Sequence, residues 1–221
     1  MASLPIDLFL FDLSGTTVRD DGLVLGVFRA VTEEADLPVE DEWLQSRMGY
    51  GKERVFHDLL ESRELPVSNA GLLARRFETV LAEQLAGTKA EPLPGAIESL
   101  DAFEQAGIKV GFTTGFSRPT ADLLLEQLGW ERRLSVASDE VPSGRPAPDM
   151  IRRAMSLSGV DDTNRVGVVG DTPADLLAGV AADCRFVVGV GHGTHSLREL
   201  EEHPHTHLLP DLNNLMVALA D

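Results

Sequence analysis

Residues 6–17 read Ile-Asp-Leu-Phe-Leu-Phe-Asp-Leu-Ser-Gly-Thr-Thr. The short run Ile6–Phe11 ends at Asp12 and passes at once into the small, polar Ser14-Gly15-Thr16-Thr17. This pattern predicts a buried strand that delivers Asp12 to its C-terminal edge. Further runs follow the same plan. Lys109–Phe112 ends in Thr113-Thr114-Gly115, Leu134–Ala137 in Ser138-Asp139, and Arg165–Val169 in Gly170-Asp171-Thr172; Arg185–Val190 is a fifth. Helical patterns separate them at Ala96–Ala106, Pro119–Leu128, Pro148–Ser158 and Ala174–Ala182. Strands alternating with helices predict an α/β fold with a parallel sheet covered on both faces. Ligands of such sheets bind outside the carboxyl ends of the strands, where all the polar residues just named fall.

The segment between the first two strands is different. Leu23–Ala35, Glu40–Gln45, Glu53–Glu61 and Asn69–Ala86 carry helical periodicity without a convincing strand. The expected organisation is an α/β core formed by residues 1–17 and 92–221, with a helical cap, 18–91, over the strand ends. Glu91-Pro92-Leu93-Pro94-Gly95 reads as the returning hinge.

Composition narrows the function. Hydrophobic residues make up 43% of the 221, enough for a full core, and the formal charge is −17. So acidic a surface disfavours nucleic acid and anionic membranes as partners. It also means that a phosphate site must gather its own cations. The single cysteine, Cys184, excludes an internal disulfide and fits a reducing compartment. No apolar run approaches the ~20 residues of a membrane span, and MASLPIDLFLFD lacks the basic start of a signal peptide. These features predict a soluble, cytoplasmic protein.

Phosphoryl transfer needs a nucleophile, a metal, cations on the transferred oxygens and an orienting shell. Asp12 is the candidate nucleophile. Asp171 is the candidate metal ligand, since magnesium takes oxygen ligands and few protein carboxylates. Thr113 and the Thr114 amide suit phosphate oxygens. Arg145, in Ser143-Gly144-Arg145-Pro146, suits two of them at once. Asp175, one helical turn beyond Asp171, is placed to orient a ligand or Arg145. Asp171 would also serve as a helix N-cap, which does not exclude metal binding. The histidines His192, His195, His203, His205 and His207 read as incidental loop residues, and Cys184 as a small buried one.

Asp12-Leu13-Ser14-Gly15-Thr16-Thr17, Thr113-Thr114-Gly115, the Arg145 turn and Gly170-Asp171-Thr172-Pro173-Ala174-Asp175 resemble, in order and spacing, the four motifs of the haloacid dehalogenase superfamily. The resemblance covers essentially the whole chain. It implies a doubly wound, Rossmann-like core, Mg²⁺ held by Asp12, the Ser14 carbonyl and Asp171, and an aspartyl-phosphate on Asp12. Two departures resemble the phosphonatase branch, typified by phosphonoacetaldehyde hydrolase: Ser14 stands where most of these phosphatases have a second aspartate, and Arg145 where most have lysine. Cleaving a C–P bond expels carbon, so an acid beside an ester oxygen has nothing to protonate. The need is an electron sink, which a lysine supplies by forming a Schiff base. The chain has three lysines, Lys52, Lys89 and Lys109. Met48-Gly49-Tyr50-Gly51-Lys52 resembles the branch's cap motif and makes Lys52 the candidate, with a pKa lowered to about 7–8. Val55 and Phe116 replace a histidine and a tyrosine of that branch.

The reading implied is Mg²⁺-dependent cleavage of a small phosphonate. A phosphomonoester phosphatase similar to phosphoglycolate phosphatases, and a non-catalytic binding protein on the same fold, are the alternatives that Ser14 leaves open. A homodimer through the cap helices is implied by the resemblance alone.

Overall fold

The computed structural model describes residues 4–220; the predicted core bounds at 1 and 221 lie outside them. Strands β1 (Leu8–Phe11), β2 (Lys109–Thr114), β3 (Leu134–Ala137), β4 (Val166–Gly170), β5 (Phe186–Val190) and β6 (His207–Leu209) form one sheet in the order β3-β2-β1-β4-β5-β6. Every neighbouring pair is parallel. Chain order reverses at β1, which lies between β2 and β4, so a crevice opens above the ends of β1 and β4. Asp12 and Asp171 follow those two strands directly.

All four residues of β1 are buried, because helices cover both faces. Phe9 and Phe11 point to one face, where Phe9 stacks on Phe103 of α5 (Ala96–Gln105) with ring centroids 4.3 Å apart. Leu8 and Leu10 point to the other, against Met150, Ile151 and Ala154 of α7 (Asp149–Ser158) and Leu176 of α8 (Pro173–Ala181). Helix α6 (Arg118–Leu128) follows β2, and α9 (Leu197–Leu200) and α10 (Leu215–Ala218) are single turns.

Between β1 and α5 lie α1 (Leu23–Glu34), α2 (Asp41–Gln45), α3 (Lys52–Ser62) and α4 (Ala70–Ala86). One aromatic residue from each of three helices, Phe28, Phe56 and Phe77, builds their shared interior, with ring centroids 4.4–6.4 Å apart. The departing and returning chains run side by side. Leu93 N–H donates to the Thr17 carbonyl and Arg19 N–H to the Glu91 carbonyl, each at 2.9 Å.

The predicted strands and helices are present, with ends displaced by a residue or two. β2 runs on to Thr114, and Asp7, ahead of β1, pairs with the Arg165 guanidinium. The sheet has a sixth strand that the sequence does not announce. His207 therefore stands on β6 rather than in a loop.

Candidate active site

The floor of the site is a cluster of charges at the strand ends. Asp12, Arg145, Asp171 and Asp175 are all buried, at most 5% exposed. The Asp12 N–H donates to the Val169 carbonyl at 3.0 Å, and Thr17 Oγ1 donates to the Asp12 carbonyl at 2.8 Å, so its backbone is held from both sides. Arg145 Nη2 donates to Asp12 Oδ1 at 2.7 Å while Nη1 pairs with Asp175. Asp175 also accepts from the Thr172 hydroxyl at 2.6 Å and the Thr172 N–H at 3.1 Å, capping α8. One guanidinium thus bridges two of the predicted residues, and its Nε has no hydrogen-bond partner among the described residues. That orphan donor is available to an anionic ligand.

Asp171 is fixed at both oxygens. Thr16 Oγ1 donates to Oδ1 at 2.8 Å and the Thr194 N–H to Oδ2 at 2.7 Å. Gly15 has φ +85°, and a Cβ there would run into the Asp171 carboxylate, so both conformation and space call for glycine. Carboxylate oxygens of Asp12, Asp171 and Asp175 lie within 4.8 Å of one another. Three buried carboxylates stand beside one guanidinium, which pairs with two of them, leaving a formal excess of negative charge in a buried site. An all-oxygen donor set of this charge fits a hard divalent cation such as magnesium. Burial pushes the Asp12 carboxyl up to about 6; Arg145 opposes this and Asp171 adds to it.

The roof comes from the helical insert. Lys52 is the first residue of α3 and is buried, 6% exposed. Its Nζ lies 5.0–5.4 Å from the ring centroids of Phe28, Phe77 and Phe116. Burial pulls its ammonium down to about 8; Glu78 opposes this most, and Arg145 adds to it. The positive end of α3 acts in the same direction.

A cavity of about 20 Å³ lies between floor and roof, lined by Asp12, Ser14, Lys52, Thr114, Phe116 and Arg145 among others. It has room for about one water, so floor and roof nearly meet there. Thr114 belongs to this lining, whereas Thr113 lies behind Arg145, beside a smaller void shared with Asp175. Lys52 and Arg145 also face an outer groove of about 810 Å³ between the insert and the sheet edge. Ser14 and Lys52 thus join Asp12 and Arg145 at one cavity, Asp171 and Asp175 complete the charged floor, and Thr113 stands one layer back.

Several participants are not evident from sequence. Thr16 and Thr194 hold Asp171. His192 Nε2 lies 3.0 Å from the Thr16 carbonyl, and His195 is buried, its imidazole pushed down by burial. These two histidines frame the site instead of being incidental loop residues. The Thr16 hydroxyl had a signal in its strand-end motif; the Thr194 amide had none. Cys184 packs on the core with its thiol pushed up to about 12 by burial.

The fold and the charged strand ends define a hydrolase class, and residues 6–183 match the family model of haloacid dehalogenase-like hydrolases. The chain belongs to that family. It is 31% identical over 217 residues to a phosphonoacetaldehyde hydrolase of Bacillus cereus, covering 90% of this chain and 81% of that one. It is likewise 31% identical over 204 residues to a Dickeya dadantii protein named "Probable phosphatase IndB", covering 88% and 85%. A match at 37% identity to the phosphonoacetaldehyde hydrolase of Bacteroides fragilis covers 123 residues, 54% of this chain; the chain thus spans about half the length of that relative, 46%. Among solved structures, a phosphonoacetaldehyde hydrolase-like protein from Oleispira antarctica superposes with a TM-score of 0.87 at 18% identity, covering 100% of this chain and 94% of that one. No helix among the described residues is long and apolar enough to cross a membrane.

Proposed function

We propose that this hydrolase cleaves the C–P bond of a small phosphonate bearing a carbonyl group beside that bond, with Mg²⁺ as cofactor. One observation carries the reading: a buried lysine, its ammonium weakened by burial, shares a small cavity with the Asp12 carboxylate, while Ser14 leaves no acid two residues beyond Asp12. The relatives named phosphonoacetaldehyde hydrolase add support. We further propose that residues 18–91 act as a cap that opens to admit substrate, since a cavity of about 20 Å³ holds no phosphonate.

Each residue then has a task. Asp12, Asp171 and the Ser14 carbonyl would hold the magnesium ion, which supplies positive charge opposite the phosphonate oxygens. Arg145 and Thr114 bind those oxygens, and Asp175 holds Arg145 in place. Lys52 Nζ adds to the carbonyl carbon, water departs, and a protonated imine forms. Asp12 attacks phosphorus; the C–P electron pair moves into the imine as an enamine. Water hydrolyses the aspartyl phosphate, and protonation and hydrolysis of the enamine release the aldehyde or ketone. The phenyl walls around Lys52 exclude water that would keep the amine charged.

A second reading, phosphomonoester hydrolysis, is favoured by the relative named as a phosphatase. Borohydride trapping separates the two. Under the first, borohydride with phosphonoacetaldehyde inactivates the enzyme and the added mass maps to Lys52. Absence of trapping, together with full ester hydrolysis by Lys52→Ala, sinks the C–P reading.

A further inference from the structure

The helical insert meets the core at one charged point that the chemistry above leaves unused. Glu78 lies in the middle of α4, and its Oε2 accepts from two core hydroxyls, Ser117 Oγ at 2.6 Å and Thr120 Oγ1 at 2.5 Å. Ser117 is the N-cap of α6 and Thr120 is in its first turn, so the carboxylate also faces the positive end of that helix. Both partners are distant in sequence, by 39 and 42 residues. These bonds exist only while the insert is docked. Hydrogen bonds of this length to an ionised acceptor belong to the strong class.

Glu78 and Lys52 line the same outer groove. Of the charges around the lysine, Glu78 on α4 favours the ammonium most; Asp20 and Asp12 on the β1–α1 side favour it less, and Arg145 from the core disfavours it. The three phenyl rings offer Nζ no hydrogen-bond acceptor.

We propose that Glu78 is a positioning residue that links closure to chemistry: docking on Ser117 and Thr120 brings its carboxylate beside the Lys52 pocket, and this carboxylate sets the placement and charge of the amine. The inference rests on Lys52 being the reacting amine. Without Glu78 the buried amine would hold its proton more weakly. With Glu78 the docked carboxylate offsets positive charge at that nitrogen, on the amine and on the protonated imine it becomes. In the open arrangement Lys52 rehydrates and Glu78 loses its hydroxyl partners.

The test reads Lys52 directly and needs no substrate. The full chain with Mg²⁺ is pulse-labelled with acetic anhydride across pH, and acetylation of Lys52 is followed by mass spectrometry against the exposed Lys89. Glu78→Gln keeps the shape and removes the charge; the Lys52 midpoint is expected to fall by about one pH unit. Ser117→Ala combined with Thr120→Val removes the core side of the latch; as the docked state loses population and Lys52 rehydrates, its midpoint is expected to rise toward the free lysine value. Melting temperatures are recorded alongside. A midpoint that does not fall in the first variant, or does not rise in the second, overturns the proposal, whether or not the melting temperature changes. Phosphonate trapping reports separately on the parent reading.

Discussion

The floor and the roof of this cavity bury charge by opposite means. Asp12, Arg145, Asp171 and Asp175 leave water by pairing with one another and with hydroxyl and backbone donors at rigid strand ends. Lys52 leaves water by entering a box of three phenyl rings at the start of a helix. The first arrangement keeps charges on and aims them at a fixed point. The second weakens a charge until it can be shed. Phosphorus chemistry needs the former, and carbonyl chemistry needs the latter.

Removing the centre of the floor has the largest expected effect. Arg145→Ala leaves Asp12 and Asp175 buried without their shared cation. Metal-free protein is expected to lose about 3–5 kcal/mol in urea unfolding, and kcat/KM to fall about 10²–10³-fold. A loss of under 1 kcal/mol would show that the pairing does not hold the floor.

The roof should respond with the opposite sign. Lys52→Met abolishes trapping by borohydride yet is expected to stabilise the protein by about 3 kcal/mol near pH 7. The sign follows from the lowered ammonium, about 8 when folded against 10.5 in the free side chain. Below pH 8 both folded and unfolded chains carry the proton and the full burial penalty stands. Between pH 8 and 10.5 the unfolded chain holds more protons, so wild-type stability rises with pH and the two proteins converge. Parallel stability curves for variant and wild type across that window would refute the account.

The smallest effect is expected at Ser14→Ala. The Ser14 hydroxyl lies beside the Asp20 carboxylate, and the substitution should change phosphonate cleavage less than about threefold. A hundredfold loss would assign the hydroxyl a proton-transfer role and erase the distinction between floor and roof.

The floor was far more legible in sequence than the roof. Asp12 and Asp171 directly follow runs of apolar residues and Thr114 follows one after Thr113, so their placement follows from local pattern. Arg145 stands on no strand, and only its Gly-Arg-Pro setting marks it. Lys52 was singled out by motif, but its surroundings come from three separate segments, around Phe28, Phe77 and Phe116. Glu78 is one acid among many on α4, and nothing local distinguishes it from a solvated charge. β6 escaped because it has three half-buried residues and begins with His207. Buried His195 lacks any apolar periodicity around it. What the chain says locally is the path of the sheet; what it leaves unsaid is which distant side chains meet.

The paired backbone crossings at Thr17–Leu93 and Arg19–Glu91 form the narrow seam at which the chain leaves the sheet for the four helices of the insert and returns from them. Its hydrogen bonds are between main-chain groups and ask little of the side chains around them. A foreign helical segment with the same two ends can be spliced there while the register of β1 with β2 and β4 stays intact. About a third of the chain can therefore be exchanged, and with it the compounds admitted, while the strand ends that carry Asp12 and Asp171 keep their register.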